Sequence, residues 1–326
     1  MDMKKPPFPP MNEKPPMGMK PPMGMPTQKE GPGGPPPGWE PPVADISWVK
    51  RKFLDIPYAH DSKAQCFDLY LPDEGDGPFP LVIHIHGGGF ALGDKRDDHM
   101  DAYLTGIKRG WAVASIEYRL SGEAIFPAAV LDCREALRYI YAHAAEFSVD
   151  PEKICTLGGS AGGNLSAMMG MNIPNGAFPG EEGKTDLAPL PTVKVCIDQF
   201  GPMNFKTMDE QARANGVSFA DHDEPFSPES KYLGAPIPDA PPELIDAANP
   251  ATYASDAMAP MLVQHGTVDR LVPYQQSPEF VAALEAKGQG HKVEFVPLHG
   301  ADHEDKMFVT KENLDLVFDF LNKHLS

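Results

Sequence analysis

The sequence predicts an α/β fold, a mostly parallel, twisted sheet with helices on both faces. Three observations predict it. Short runs such as "LVIHIHG" and "MLVQHG" are apolar on both faces, as strands buried in a parallel sheet are. Segments with apolar residues at helical spacing alternate with these runs. Glycine clusters follow two of the runs directly, where a strand must turn sharply into what comes next.

In chain order, strands are expected at Phe67–Leu71, Leu81–Gly87, Trp111–Tyr118, Lys153–Gly158, Val193–Gly201, Met261–Gly266 and Lys292–Leu298. Between them, "AVLDCREALRYIYAHAAEF" sets Val130, Cys133, Leu137, Ile140, Tyr141 and Ala144 along one stripe. "AGGNLSAMMGM" follows the fourth strand as a helix, and "SPEFVAALEAKG" and "KENLDLVFDFLNKHL" repeat the amphipathic pattern near the C-terminus. Residues 203–259 break the rhythm with prolines and polar residues, and are expected to form an insertion over the C-terminal edge of the sheet, where ligands bind in such folds.

The 326 residues suffice for one large core, so a single main domain over 44–326 is the default. Residues 1–43 hold 15 of the 37 prolines and 7 of the 16 methionines, a composition that excludes a helix and gives no alternating face for a sheet. That segment reads as an extended polyproline-like tail, with a methionine-bearing strap as the other reading. A formal charge of −18 repels nucleic-acid phosphates and gives no attraction to an anionic membrane. The start has prolines where a signal peptide needs an apolar stretch, and no later run reaches a membrane span. Cys66, Cys133, Cys155 and Cys196 form no CxxC pair, so neither a zinc site nor a dense disulfide framework is expected, and Cys155 and Cys196, inside apolar runs, read as buried free thiols. A cytoplasmic protein is the expectation, if the N-terminus is native; the sequence fixes no stoichiometry and allows a homo-oligomer.

Chemistry enters at "GGSAGG". Gly158-Gly159-Ser160-Ala161-Gly162 satisfies G-x-S-x-G between a strand and a helix, the context in which a strained turn holds a serine hydroxyl above the sheet. Upstream, "HIHGGGF" follows a strand with three adjacent glycines, whose amides can converge on one point. Gly88 and Gly89, with Ala161 as third donor, are the expected oxyanion hole. A serine hydroxyl needs a base, and the base needs an orienting carboxylate. Asp269 in "TVDRLVP" follows the sixth strand and is the expected acid. "HGADHEDKMF" follows the seventh and offers His299 and His303; His303 is better placed in the loop, whereas His299 at the strand's end reads as structural.

These residues resemble the α/β-hydrolase esterases of the hormone-sensitive-lipase and feruloyl/acetyl-xylan esterase-like group. The resemblance runs from about Asp68 to the C-terminus through "HIHGGGFALGDKRD", "YRLSGEAIFPAAVLDCREALRYI", "GGSAGGNLSAMM", "DQFGPMNF" and "HGTVDRLVPYQQS". It implies the α/β-hydrolase fold, Ser160 as nucleophile, Asp269 as acid, His303 as base and an oxyanion hole at Gly88, Gly89 and Ala161. It also implies a small-molecule ester as partner, acetyl or feruloyl esters of plant-polysaccharide oligosaccharides among them, with no metal or organic cofactor. Two features depart from the pattern: "GADHED", where relatives tend to have a small residue before the histidine and a glycine after it, and the Met/Pro-rich tail.

A serine peptidase of the prolyl-oligopeptidase type and a non-catalytic binding protein share this fold and stay open as alternatives. The remaining candidates read as structural. His84 and His86 are expected to anchor the glycine loop rather than bind metal, "DDHMD" to start a helix in solvent, Asp132 to accept structural hydrogen bonds, and Glu123 to be a structural or surface carboxylate, with contact to substrate as the other reading.

Overall fold

The computed structural model describes residues 42–178, 180–181 and 190–325; the expected tail, through residue 41, lies outside them. Eight strands form one sheet: β1 (Arg51–Pro57), β2 (Cys66–Leu71), β3 (Phe79–Ile85), β4 (Ala112–Ile116), β5 (Val149–Gly159), β6 (Cys196–Gln199), β7 (Met261–Gly266) and β8 (Val293–Leu298). Their order is β1-β2-β4-β3-β5-β6-β7-β8. β2 alone runs opposite to the others, pairing antiparallel with both β1 and β4, and every pairing from β4 to β8 is parallel. The α-helices are α1 (Met100–Tyr103), α2 (Ala128–Ala142), α3 (Ala161–Gly170), α4 (Met208–Ala214), α5 (Pro228–Leu233), α6 (Pro242–Ala248), α7 (Gln276–Ala286) and α8 (Lys311–Leu325).

The apolar runs divide into two cores because side chains alternate across the sheet. On one face Leu81, Ile83 and Ile85 of β3 pack with Val130, Cys133, Leu137 and Ile140 of α2 and with Leu165 and Met168 of α3. On the other, Val82, Val113, Leu157 and Ile197 pack with Leu314, Val317, Phe318 and Leu321 of α8. Cys133, Cys155 and Cys196 are buried free thiols, and Cys66 is partly buried. Tyr141 does not join the α2 stripe. It is 40% exposed, because the step of about 100° from Ile140 turns it out of the core.

β1 was not expected. It is an edge strand whose residues alternate between half-buried and exposed, with Lys52 and Asp55 among them, so no apolar run marks it. The span 203–259 carries three helices and a buried apolar set that includes Phe205, Met208, Tyr232, Leu233, Ile237 and Ile245. Its prolines open helices rather than forbid them: Pro228 and Pro242 stand at the first helical position, where no backbone N–H is required. Gln276 at the start of α7 accepts from the amides of Met203 and Asn204 and donates to Gln211, pinning the beginning of this span to the sheet's C-terminal edge. Among the described residues, no helix is long and apolar enough to cross a membrane.

Candidate active site

The loops leaving β3, β5, β7 and β8 meet above the C-terminal edge of the sheet. Ser160 sits between β5 and α3 with φ 55° and ψ −127°, a conformation that L-residues adopt only under strain. The turn closes because Gly162 lets α3 approach β3: a Cβ there would stand 2.0 Å from the Ile85 carbonyl oxygen. Ser160 N–H donates to the Gln199 carbonyl at 2.9 Å, which ties the elbow to β6. The hydroxyl projects at the N-terminal, electropositive end of α3.

His303, in the loop after β8, places Nε2 3.1 Å from Ser160 Oγ and Nδ1 2.7 Å from Asp269 Oδ2. An ionised carboxylate only accepts, so Nδ1 carries the proton and Nε2 is left to accept from the serine hydroxyl. Ser160 is 7% exposed, and the Asp269 side chain is fully buried. The Phe200 ring packs edge-on against the imidazole, 4.8 Å between centroids.

Asp269 has more donors than the imidazole alone. Its Oδ1 accepts from the amides of Leu271 and Val272, each at 2.9 Å. Its Oδ2 also lies 3.2 Å from Nε2 of His265, a fully buried residue of β7. That Nε2 faces the Val272 carbonyl at 3.0 Å as well, while Nδ1 meets Ser277 Oγ at 2.7 Å. With acceptors on one side and a hydroxyl on the other, His265 carries its proton on Nε2 and points it at the carboxylate. Burial alone would raise the Asp269 pKa; the donors from His265 and His303 outweigh it and hold the carboxyl down at about 2.

The loops of Asp269 and His303 are also joined directly. Asp302 pairs with the Arg270 guanidinium and accepts from the amides of Arg270 (3.0 Å) and His303 (2.9 Å). Sequence reading missed His265, Asp302 and Arg270. His265 stands four residues before Asp269 in the quoted "HGTVDRLVP", and that i, i+4 spacing of two titratable groups was the available signal. His299 is exposed just beyond the end of β8 and makes none of the contacts described for Ser160, His303 and Asp269.

Gly88, Gly89 and Phe90 all have positive φ, and a Cβ on Gly88 would meet the Leu92 carbonyl oxygen at 2.3 Å. Among the described residues, no hydrogen bond takes up the amides of Gly88, Gly89 or Ala161. The loop is braced from beneath. His86 bonds the Gly87 carbonyl (2.9 Å) and Glu117 (3.1 Å) and stacks on Tyr118, whose hydroxyl donates to the His86 carbonyl at 3.0 Å. From above, Tyr232 of α5 stacks on Phe90 at 3.9 Å, so the 203–259 span packs on the glycine loop.

Asp132 accepts from Gln65 and Arg119, and Glu123 is exposed, both as expected. "DDHMD" is only partly in solvent. His99 places Nε2 3.6 Å from Glu304 Oε2, while its Nδ1 faces Asp97 at 3.5 Å and Asp98 at 3.9 Å. Asp97 and Glu304 raise the His99 pKa to about 10, and His99 in turn lowers that of Glu304.

The described residues contain no group of three or more His, Cys, Asp or Glu side chains arranged to hold a metal. What the arrangement can do is move a proton from a buried hydroxyl to an imidazole beside a set of free amides.

Known proteins resemble this chain in sequence and in fold. Esterase LipQ of Mycobacterium tuberculosis is 29% identical over 273 residues, covering 82% of this chain and 61% of LipQ. Esterase LipC of the same organism is 26% identical over 279 residues, covering 82% of this chain and 64% of LipC. This chain thus spans less than two thirds of the length of these curated relatives. Among solved structures, a truncated form of a carbohydrate esterase from gut microbiota superposes with a TM-score of 0.74 at 25% identity, covering 87% of this chain and 99% of that one. A bifunctional GH43-CE from Bacteroides eggerthii gives 0.71 at 28% identity, covering 84% of this chain and 35% of that one. The BD-FAE family model matches residues 67–284. A serine elbow, a glycine loop and that match over most of the chain lead to one assignment: this protein belongs to the BD-FAE family, within the α/β-hydrolase esterases.

Proposed function

We propose that this protein is a serine carboxylesterase acting through an acyl-enzyme, with Ser160 as nucleophile, His303 as general base and acid, and Asp269 as the orienting carboxylate. The reading rests on one observation above others: a single imidazole within hydrogen-bond reach of both Ser160 Oγ and Asp269. Ser160 attacks the ester carbonyl as His303 Nε2 takes its proton. The oxyanion is held by the amides of Gly88, Gly89 and Ala161. His303 then protonates the departing alcohol, and water activated by the same nitrogen attacks the acyl-enzyme and releases the acid.

The substrates in this reading are acyl esters of carbohydrates, acetyl or feruloyl. Support comes from the carbohydrate esterase among the similar structures and from exposed apolar side chains in the loops that carry the site, Leu92 after the glycine loop and Val268 and Leu271 on either side of Asp269, which suit an aromatic acyl group. The acyl-enzyme reading predicts that Ser160→Ala loses about 10⁴-fold or more in kcat on p-nitrophenyl acetate while keeping its melting temperature. Near wild-type turnover by that variant would refute it. Hydrolysis of a peptide p-nitroanilide in place of esters would favour the peptidase alternative, and an absence of turnover on either substrate would favour a binding protein.

A further inference from the structure

Glu304, the residue after His303, holds a left-handed backbone with φ 54° that glycine would adopt without strain. The chain keeps a long acidic side chain there instead. A Cβ built on Gly87 would lie 3.7 Å from Glu304 Oε1 and 3.4 Å from Ser160 Cβ, so the carboxylate and the nucleophile both flank Gly87. Its two oxygens differ. Oε2 is tethered to His99 at 3.6 Å, whereas among the described residues no donor reaches Oε1. The side chain is 39% exposed, within reach of a bound molecule.

His303 must hand its proton to the departing alcohol oxygen, so the alcohol leaves on the His303 side of Ser160, and Glu304 is the residue that follows His303 in that loop. A carboxylate at that place only accepts hydrogen bonds. A sugar offers hydroxyl donors and would gain a charge-assisted bond, an aryl or alkyl group has nothing to give, and an anionic alcohol is repelled. We propose that Glu304 forms the alcohol subsite, accepting a hydrogen bond from a hydroxyl of an uncharged, polyhydroxylated leaving group and disfavouring anionic ones. The inference rests on the esterase reading and narrows its substrates to esters of neutral sugars.

The test holds the acyl group constant and varies the alcohol. kcat/KM is measured for a mono-acetylated methyl xyloside, an acetylated methyl glucuronoside and p-nitrophenyl acetate, with wild type, Glu304→Gln and Glu304→Gly, after melting curves confirm folding. The xyloside-to-aryl ratio should fall on the order of tenfold in Glu304→Gly and less in Glu304→Gln, which keeps an acceptor but not the charge. Both variants should raise the glucuronoside-to-xyloside ratio by similar factors. The near-isosteric glutamine keeps the test open if glycine unfolds the loop. Ratios unchanged within about twofold, with aryl acetate still hydrolysed, would overturn the subsite and leave the esterase reading standing. Wild-type protein that hydrolyses no acetate ester would overturn both.

Discussion

Two buried carboxylates at neighbouring strand ends have opposite chemistry. Asp269, after β7, and Asp198, in β6, are both removed from water. Asp269 receives N–H groups from His303, His265, Leu271 and Val272, and its pKa falls to about 2. Asp198 receives one, from Gly201 at 3.0 Å, and its Oδ2 has no partner. Burial then dominates and pushes its pKa up to about 8. Two desolvated carboxyls thus take opposite directions, because hydrogen-bond donors and neighbouring imidazoles surround Asp269 while Asp198 has one donor and deeper burial. Of the two, Asp269 alone has the shell of donors that keeps a carboxylate ionised, as the proposed role of orienting His303 requires.

Breaking that shell should matter in proportion to what is removed. Asp269→Asn leaves the shape but removes the charge that holds the His303 tautomer; kcat on p-nitrophenyl acetate should fall by about 10⁴. His265→Phe removes one buried donor and should lower kcat by roughly tenfold. It should also raise the Asp269 pKa from about 2. With the folded pKa depressed, Asp269 contributes stability that is present above about 4 and lost as pH falls toward 2. Melting curves between those pH values should show a smaller acid-dependent loss in His265→Phe than in wild type.

Asp198→Asn should change kcat by less than about twofold, since the residue orients nothing at the site. Its signature is in stability. The unfolded carboxyl ionises near pH 4 while the folded one stays protonated to about 8, so Asp198 destabilises the fold increasingly across that interval. The stability of Asp198→Asn relative to wild type should climb from pH 4 to 8 and level off above. A difference independent of pH would show that Asp198 is already charged in the fold.

The sequence exposed the parts of this molecule that are made by local pattern. Ser160, Gly88 and Gly89 stand in glycine-rich turns next to apolar strands, and Asp269 and His303 follow strands that are themselves apolar runs, so position along the chain was enough to nominate the residues that the structure brings together. His265 was missed because its role comes from the fold: it ends a buried strand, and only the turn after β7 brings Asp269 back onto its Nε2. Glu304 was visible as part of an acidic loop, but its approach to Gly87 depends on a backbone conformation no composition reveals. The 203–259 span was legible as an insertion but not in its conformation: its three helices are short, and two of them open on a proline, which at the first helical position is compatible with the fold.

The account depends on Ser160 being activated by His303, and covalent labelling tests this without any assumption about substrate. Wild-type protein treated with a fluorophosphonate should gain a single adduct, mapped by peptide mass to Ser160, and His303→Ala should label far more slowly under the same conditions. An adduct on another residue, or equal labelling of wild type and His303→Ala at Ser160, would contradict it.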